Sequence, residues 1–88
     1  MANHPSALKR MRQSARRRAR NRIVRTKVKT QIKKLLRTVE EKSPEQAQEA
    51  LRLSASLLHK SVSKGVHHRN TASRQIGRLA RKVNALAS

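Results

Sequence analysis

The chain has 88 residues with 23 Lys and Arg against four acidic residues, so its formal net charge is +19. Such a charge makes a compact chain repel itself, and a partner with dense negative charge is expected, nucleic acid first among the candidates. The sequence has no Cys, Phe, Tyr or Trp, which excludes a disulfide framework, a thiolate metal site and the aromatic platforms on which many single-strand binders stack bases.

The first predicted helix runs from about residue 6 to residue 41. The first 39 residues hold 14 Lys and Arg and no acidic residue. All four acidic residues follow within ten positions: Glu40, Glu41, Glu45 and Glu49. Apolar residues at helical spacing predict one stripe from Leu8 to Val39, with branched aliphatics only from Ile23 onward. At ~1.5 Å per residue this helix would be roughly 54 Å long, twice what two shorter helices can cover. We expect its N-terminal half to project, frayed in the free protein and helical against phosphate.

The second predicted helix spans about 44 to 64. Ser43 is a favourable N-cap, Pro44 fits the first helical position, and Gln46 would complete a capping box. Gly65 is suited to end the helix at C′. The leucines of this helix could form core or a groove for a partner, and core is favoured: Leu51, Leu53, Leu57 and Leu58.

The third predicted helix spans about 67 to 86, with an apolar stripe from Ala72 to Leu86. Asn70 is either its late N-cap or an internal polar residue. The chain is therefore predicted to be all-α, a single domain over residues 1–88. The fold class is a three-helix bundle with an extended, basic N-terminal helix projecting beyond the bundle.

Two basic clusters are candidates for nucleic-acid contact. The first cluster consists of Lys9, Arg10, Arg12, Arg16, Arg17, Arg18, Arg20, Arg22 and Arg25. If it were only solvated, like charges would repel one another on every side of the helix, and this favours contact with nucleic acid. On the third helix, Arg74, Arg78, Arg81 and Lys82 share one face. This second cluster is equally consistent with simple solvent exposure and with nucleic-acid contact. Its other members are Lys60, Lys64, His67, His68 and Arg69.

Metal binding and catalysis find little support. Adjacent histidines on a helix point about 100° apart, and His67 and His68 have no carboxylate or thiol nearby. His68 could instead contact phosphate or ribose, or pack between helices. The chain has no Cys or Asp and no Gly-rich phosphate loop, so no enzyme activity, cofactor or small-molecule substrate is expected.

Two segments resemble a known family. The first is Asn3-x-x-Ser6-Ala7-x-Lys9-Arg10-x-Arg12-Gln13, continuing through Arg17-Arg18 to Asn21. The second and more specific one is Lys64-Gly65-Val66-His67-His68-Arg69-Asn70-Thr71-Ala72-Ser73-Arg74, continuing to Arg78-Leu79. Together they resemble the bacterial small-subunit ribosomal proteins of the S-twenty family, and length and helix order agree over the whole chain.

This resemblance implies a three-helix bundle that binds 16S rRNA directly, in the cytoplasm, as part of the ribosome beside other small-subunit components. No membrane partner and no homo-oligomer are expected. The resemblance implies that the following residues contact RNA: Ser6, Lys9, Arg10, Arg12, Gln13, Arg17, Arg18, Asn21, Lys64, His68, Arg69, Asn70, Arg74 and Arg78. His67 stands where the family usually has an aliphatic residue, and Thr71, Gln75 and Ile76 replace commonly basic residues, which predicts fewer phosphate contacts there.

Two rival functions compete with this one. An architectural, nucleoid-type DNA binder usually inserts apolar wedges into the minor groove, and the sequence suggests no exposed wedge. A membrane-active cationic helix needs a strong apolar face, and residues 6–22 offer little beyond Leu8 and Met11. Preference for duplex DNA would favour the first rival, and binding to anionic vesicles would favour the second.

Overall fold

The computed structural model describes residues 5–87, and it contains three helices: α1 (Pro5–Glu40), α2 (Pro44–Ser63) and α3 (Arg69–Ala87). Helix α2 turns back along α1 and contacts both other helices, whereas α1 and α3 contact each other only over a short stretch. The molecule measures 63 × 22 × 15 Å. The prediction of an all-α bundle with a projecting first helix is confirmed, and none of the described helices is long and apolar enough to cross a membrane.

The buried core has two layers, each built from all three helices. One layer lies near the turn between α1 and α2 and consists of Leu35, Ala47, Ala50, Leu79 and Val83. The other lies about two thirds of the way along α1 and consists of Val28, Leu58 and Ala72. Early residues of α2 and late residues of α3 share the first layer, so α3 runs antiparallel to α2 and parallel to α1.

Helix α1 divides into two parts. Its buried residues are Val28 and Leu35, and no residue between Pro5 and Lys27 is buried. We call residues 5–23 the arm and residues 24–87 the bundle. Because the arm has no packing partner, about half of α1 projects, as its length predicted.

The predicted single apolar stripe along α1 is wrong. Ala19 and Val24 are five residues apart, which rotates the apolar side by about 140° around the helix axis. The stripe of the arm therefore faces away from the core, and Leu8 and Met11 are 40% and 61% exposed. The apolar face that packs in the bundle begins only at Val24.

The turn between α1 and α2 is closed by backbone hydrogen bonds. Lys42 adopts a φ of 55°, and the Ser43 N–H donates to the Thr38 carbonyl at 3.2 Å. Ser43 is also the N-cap of α2, with extended backbone and Pro44 following it. Its side chain makes no capping hydrogen bond, so the predicted capping box with Gln46 is wrong, although the position of the cap is right.

Helix α2 ends as predicted at Gly65. This glycine has a φ of 74°, which side chains rarely adopt. The Gly65 N–H donates to the Val62 carbonyl at 3.0 Å, and the Val66 N–H donates to the Ser61 carbonyl at 2.9 Å. This pair of bonds is a Schellman motif, which satisfies two carbonyls at the end of the helix.

Helix α3 begins two residues later than predicted. The His68 Nδ1 accepts a hydrogen bond from the Asn70 N–H at 3.1 Å, and the His68 carbonyl accepts one from the Ala72 N–H at 3.1 Å. His68 is thus the N-cap, and Arg69 is the first helical residue. Asn70 is an exposed internal residue of the first turn rather than the cap.

The inner face of α2 is made largely of small residues. Ala47, Ala50, Ser54 and Ser61 are buried on it, and both serines satisfy their hydroxyls locally, on the Ala50 and Leu58 carbonyls at 2.8 and 2.6 Å. Of the four leucines predicted as core, Leu58 is fully buried and Leu51 and Leu57 are half-buried. Leu53 is 49% exposed, which corrects that prediction.

Candidate nucleic-acid interface

The arm presents cations in every direction around its axis. It carries eight Lys and Arg and no acid, and successive residues turn by about 100°. Its predicted contact residues are exposed except for Asn21, which is half-buried: Ser6, Lys9, Arg10, Arg12, Gln13, Arg16, Arg17, Arg18, Arg20 and Arg22. Arg25 is also exposed, just inside the bundle. Any anionic partner that surrounded the arm would meet positive charge on all sides.

The loop between α2 and α3 lies where the arm leaves the bundle. The 20 residues of α2 run back along the second half of α1, so Lys64 and His68 come level with the residues around Asn21. Both side chains are exposed, as are Arg69 and Asn70 at the start of α3. The fold thus places the two sequence motifs, which lie more than 40 residues apart in the chain, at the same end of the bundle.

The basic face of α3 continues away from this junction. Arg74, Arg78, Arg81 and Lys82 are exposed, while Ala72, Leu79 and Val83 on the other side of the same helix are buried. Arg81 lies about 18 Å along the helix from Arg69, given ~1.5 Å per residue. The structure therefore places Lys64, His68, Arg69 and Asn70 at the end of the bundle from which the arm projects, and leaves Arg81 and Lys82 near the far end.

The two histidines make different hydrogen bonds. The His67 Nδ1 lies 3.0 Å from the Ser61 Oγ, and the Ser61 hydroxyl also lies 2.6 Å from the Leu58 carbonyl, to which it donates. The His68 Nδ1 accepts from the Asn70 N–H and is unprotonated. The half-buried His67 is the packed histidine, and the exposed His68 keeps its Nε2–H for a partner. Over residues 5–87 no group of three His or Glu could hold a metal ion.

The four acids lie at the opposite end from the arm. Glu40 ends α1 and Glu41 follows it in the turn, while Glu45 and Glu49 occupy the first turns of α2, and all four are exposed. Within the described part of the chain no Lys or Arg forms an ion pair with them. Among residues 5–87 the cations of the arm and of α3 therefore have no acidic partner, which leaves them available to an external anion.

Three features of this surface escaped the sequence reasoning. The sequence predicts no exposed wedge, yet large apolar side chains are exposed on the arm and on α2: Leu8, Met11, Ile23 and Leu53, with Ile23 at 56% exposure. Lys29 lies on the surface of α1 near Arg18 and Arg25, and Gln75 lines a groove of the bundle; neither was among the predicted contacts. Lys29 could have been proposed from the sequence, because it follows Arg25 by four residues on the same side of α1.

Comparison with known proteins gives one consistent result. Residues 2–84 match the family described as Ribosomal protein S20. The chain belongs to the ribosomal protein S20 family. It is 53% identical over 85 residues to the small ribosomal subunit protein bS20 of Syntrophus aciditrophicus, covering 97% of this chain and 96% of that protein.

Two further members of the family agree. The bS20 protein of Syntrophobacter fumaroxidans is 48% identical over 86 residues, which is 98% of this chain and all of that protein. The bS20 protein of Geobacillus thermodenitrificans is 46% identical over 86 residues, with 98% and 97% coverage. The resemblance drawn from the two motifs is confirmed, and the family consists of ribosomal structural proteins rather than enzymes.

Proposed function

We propose that this protein is a structural constituent of the small ribosomal subunit that binds 16S rRNA directly and stabilises its folding and assembly. The observation that carries the proposal is the acid-free arm, which has no buried residue and no ion pair, in a chain of the ribosomal protein S20 family. A helix with cations on all sides suits a site between several RNA helices better than one face of a single duplex.

The contacts would position the RNA without reading its sequence. Lys and Arg of the arm would neutralise phosphates, and each neutralised phosphate releases condensed counterions. The loop with Lys64 and His68 and the basic face of α3 would hold a second RNA element, so that the protein acts as a clamp. The end that carries Glu40–Glu49 would point away from phosphate. Specificity would then come from A-form shape and from the way RNA elements converge on the protein.

The test is binding to 16S rRNA fragments across a salt series, with tRNA and duplex DNA as competitors. We expect tight binding to one rRNA domain that survives both competitors, with a log–log salt slope of several units, about −0.7 to −0.9 per neutralised phosphate. Equal affinity for all three nucleic acids, with collapse at moderate salt, would refute the proposal. Preference for duplex DNA would favour an architectural role, for which the exposed Met11 and Ile23 supply apolar side chains.

A further inference from the structure

An open groove runs along the bundle between α1 and α3. These two helices pack on α2 but contact each other only briefly, which leaves the space between them unfilled. The floor of the groove is apolar and consists of Ile32, Leu36 and Leu79. Its rim is polar and cationic and consists of Gln75, Arg78, Arg81 and Lys82.

The floor is less covered than the rest of the core. Leu35 is fully buried, whereas its neighbour Leu36 and the preceding Ile32 are only half-buried, although both pack against the core. Their outer sides face the groove. Water over an apolar surface is displaced favourably by a ligand that is itself apolar on one side. The rim requires that the same ligand carry negative charge.

A row of cations leads from this groove onto the arm. Arg18, Arg25 and Lys29 precede Leu36 by eighteen, eleven and seven residues, spacings that keep them on one side of α1. All three are exposed, and they are about 10 Å and 6 Å apart along the axis at ~1.5 Å per residue. The groove is therefore the end of a longer cationic track, a shape that suits a chain of phosphates.

We propose that an unpaired nucleotide of the RNA occupies the α1–α3 groove, with its base on the apolar floor and its flanking phosphates on the rim and on the cationic track. The faces of bases are the broad apolar surfaces that RNA can offer, and they are accessible only where a base is unstacked. Arg78 or Arg81 can stack its guanidinium on such a base, a role that aromatic residues fill in other proteins. This inference rests on the proposed function, since it names the RNA feature that the bundle holds.

An acidic segment of a protein would also complement the rim. Two observations favour RNA: the cationic track continues past the groove as far as Arg18, and the arm beyond it carries no acid. A protein segment seated in the groove would leave that track without a partner.

The test uses a leucine analogue with a photoreactive diazirine at position 36, introduced by chemical synthesis of the 88-residue chain. The protein is assembled into small subunits with full-length 16S rRNA and irradiated, and the crosslinked partner is mapped. Two matched chains serve as controls. One carries the same group at Leu53, on the opposite side of the bundle, and the other carries a methionine diazirine at Met11 in the arm. We expect position 36 to crosslink to one unpaired nucleotide.

The outcomes separate the two proposals. Suppose that position 11 crosslinks to RNA, while position 36 crosslinks only to protein, to continuous duplex or to solvent. This result would overturn the groove proposal and leave the proposed function intact. Absence of RNA crosslinks at both positions, or failure to enter the subunit, would refute the proposed function itself. A crosslink to the same unpaired nucleotide from position 53 would overturn the assignment to this groove.

A substitution gives an independent measurement. Gln75→Glu adds a negative charge at the rim, and Gln48→Glu adds the same charge to an exposed site on α2 away from the groove. Both variants change the net charge equally, so the non-specific electrostatic loss is matched. We expect Gln75→Glu to weaken binding to 16S rRNA about tenfold and Gln48→Glu to weaken it less than about twofold, given the cost of placing like charges together. Equal losses would overturn the proposal.

Discussion

The arm and the bundle share one continuous helix, yet different interactions hold them in place. In the bundle half of α1, Val28 and Leu35 are buried against the other two helices. In the arm no side chain is buried, and eight cations repel one another at helical spacing. Helix that lacks packing has little stability in water, because propensity alone is marginal. The comparison teaches that tertiary packing fixes the bundle, whereas the arm has no such packing, and we predict that an anionic partner fixes it instead.

Removing a core side chain should produce the largest effect, and only on the bundle. Leu58→Ala deletes most of a fully buried side chain and should lower the free energy of unfolding by about 3 kcal/mol. Leu53→Ala, on the exposed side of the same helix, should cost less than about 1 kcal/mol. Urea unfolding monitored by circular dichroism at 222 nm measures both. Equal losses for the two leucines would contradict the assignment of the core.

Removing positive charge from the arm should weaken RNA binding and leave the stability of the bundle unchanged. The triple change of Arg16, Arg17 and Arg18 to Gln should reduce the log–log salt slope of 16S rRNA binding by about 2 to 3 units, since each lost phosphate contact contributes ~0.7 to 0.9. Thermal unfolding should stay unchanged, because none of these side chains is buried. The matched control replaces Lys33, Lys34 and Arg37 with Gln, which removes equal charge from the bundle half of α1. If the control lowers the slope as much, the arm has no special role.

The two glycines of the chain give a paired test of backbone conformation within the bundle. Gly65 has a φ of 74°, so Gly65→Ala should destabilise the protein by about 1 kcal/mol although nothing lies within 4 Å of the added Cβ. Gly77 lies inside α3, again with free space around an added Cβ, so Gly77→Ala should stabilise by about 0.5–1 kcal/mol. Thermal melts of both variants report the sign. Shifts of the same sign would mean that one of these backbone conformations is wrong.

Amide hydrogen exchange should resolve the smallest difference, which concerns the free protein. We expect weak protection for residues 5–23 without RNA, strong protection around Val28 and Leu58, and new protection of the arm when 16S rRNA is added. Full protection of the arm without RNA would show that it is stable by itself. That result would remove the contrast between the two halves of α1.

The sequence predicted those features that depend on local chemistry. Pro44 and Gly65 fixed both ends of α2 to within a residue, and the confinement of the acids placed the negative end correctly. The start of α3 was missed because it depends on two histidine contacts, from His67 to Ser61 and from His68 to Asn70, that follow no helical period. The groove was missed because it arises from how far apart two helices lie, which no spacing within one helix can reveal.

The exposure of many predicted contact residues could be expected without a structure, while their contact with RNA stays a prediction. Exposed cations such as Arg10 and Arg74 follow from composition and from the two family motifs. Sequence reasoning did not find that Asn21 is half-buried or that the apolar side of the arm turns away from the core after Ala19. Asn21 lies seven residues before the buried Val28, on the same side of α1, and the five-residue step from Ala19 to Val24 redirects the apolar side of the residues that precede it. The fraying of the arm in the free protein stays a prediction.

The central position of α2 has a consequence for how the protein is made. Each helix packs mainly on its neighbour in the chain, so most contacts join segments close in sequence, and such topologies fold quickly. The hairpin of α1 and α2 can form on the ribosome as soon as Ser63 has emerged, before α3 is synthesised. Helix α3 then adds to an existing surface on α2 and closes both core layers at once. A highly charged chain would thereby spend little time with its few apolar residues exposed.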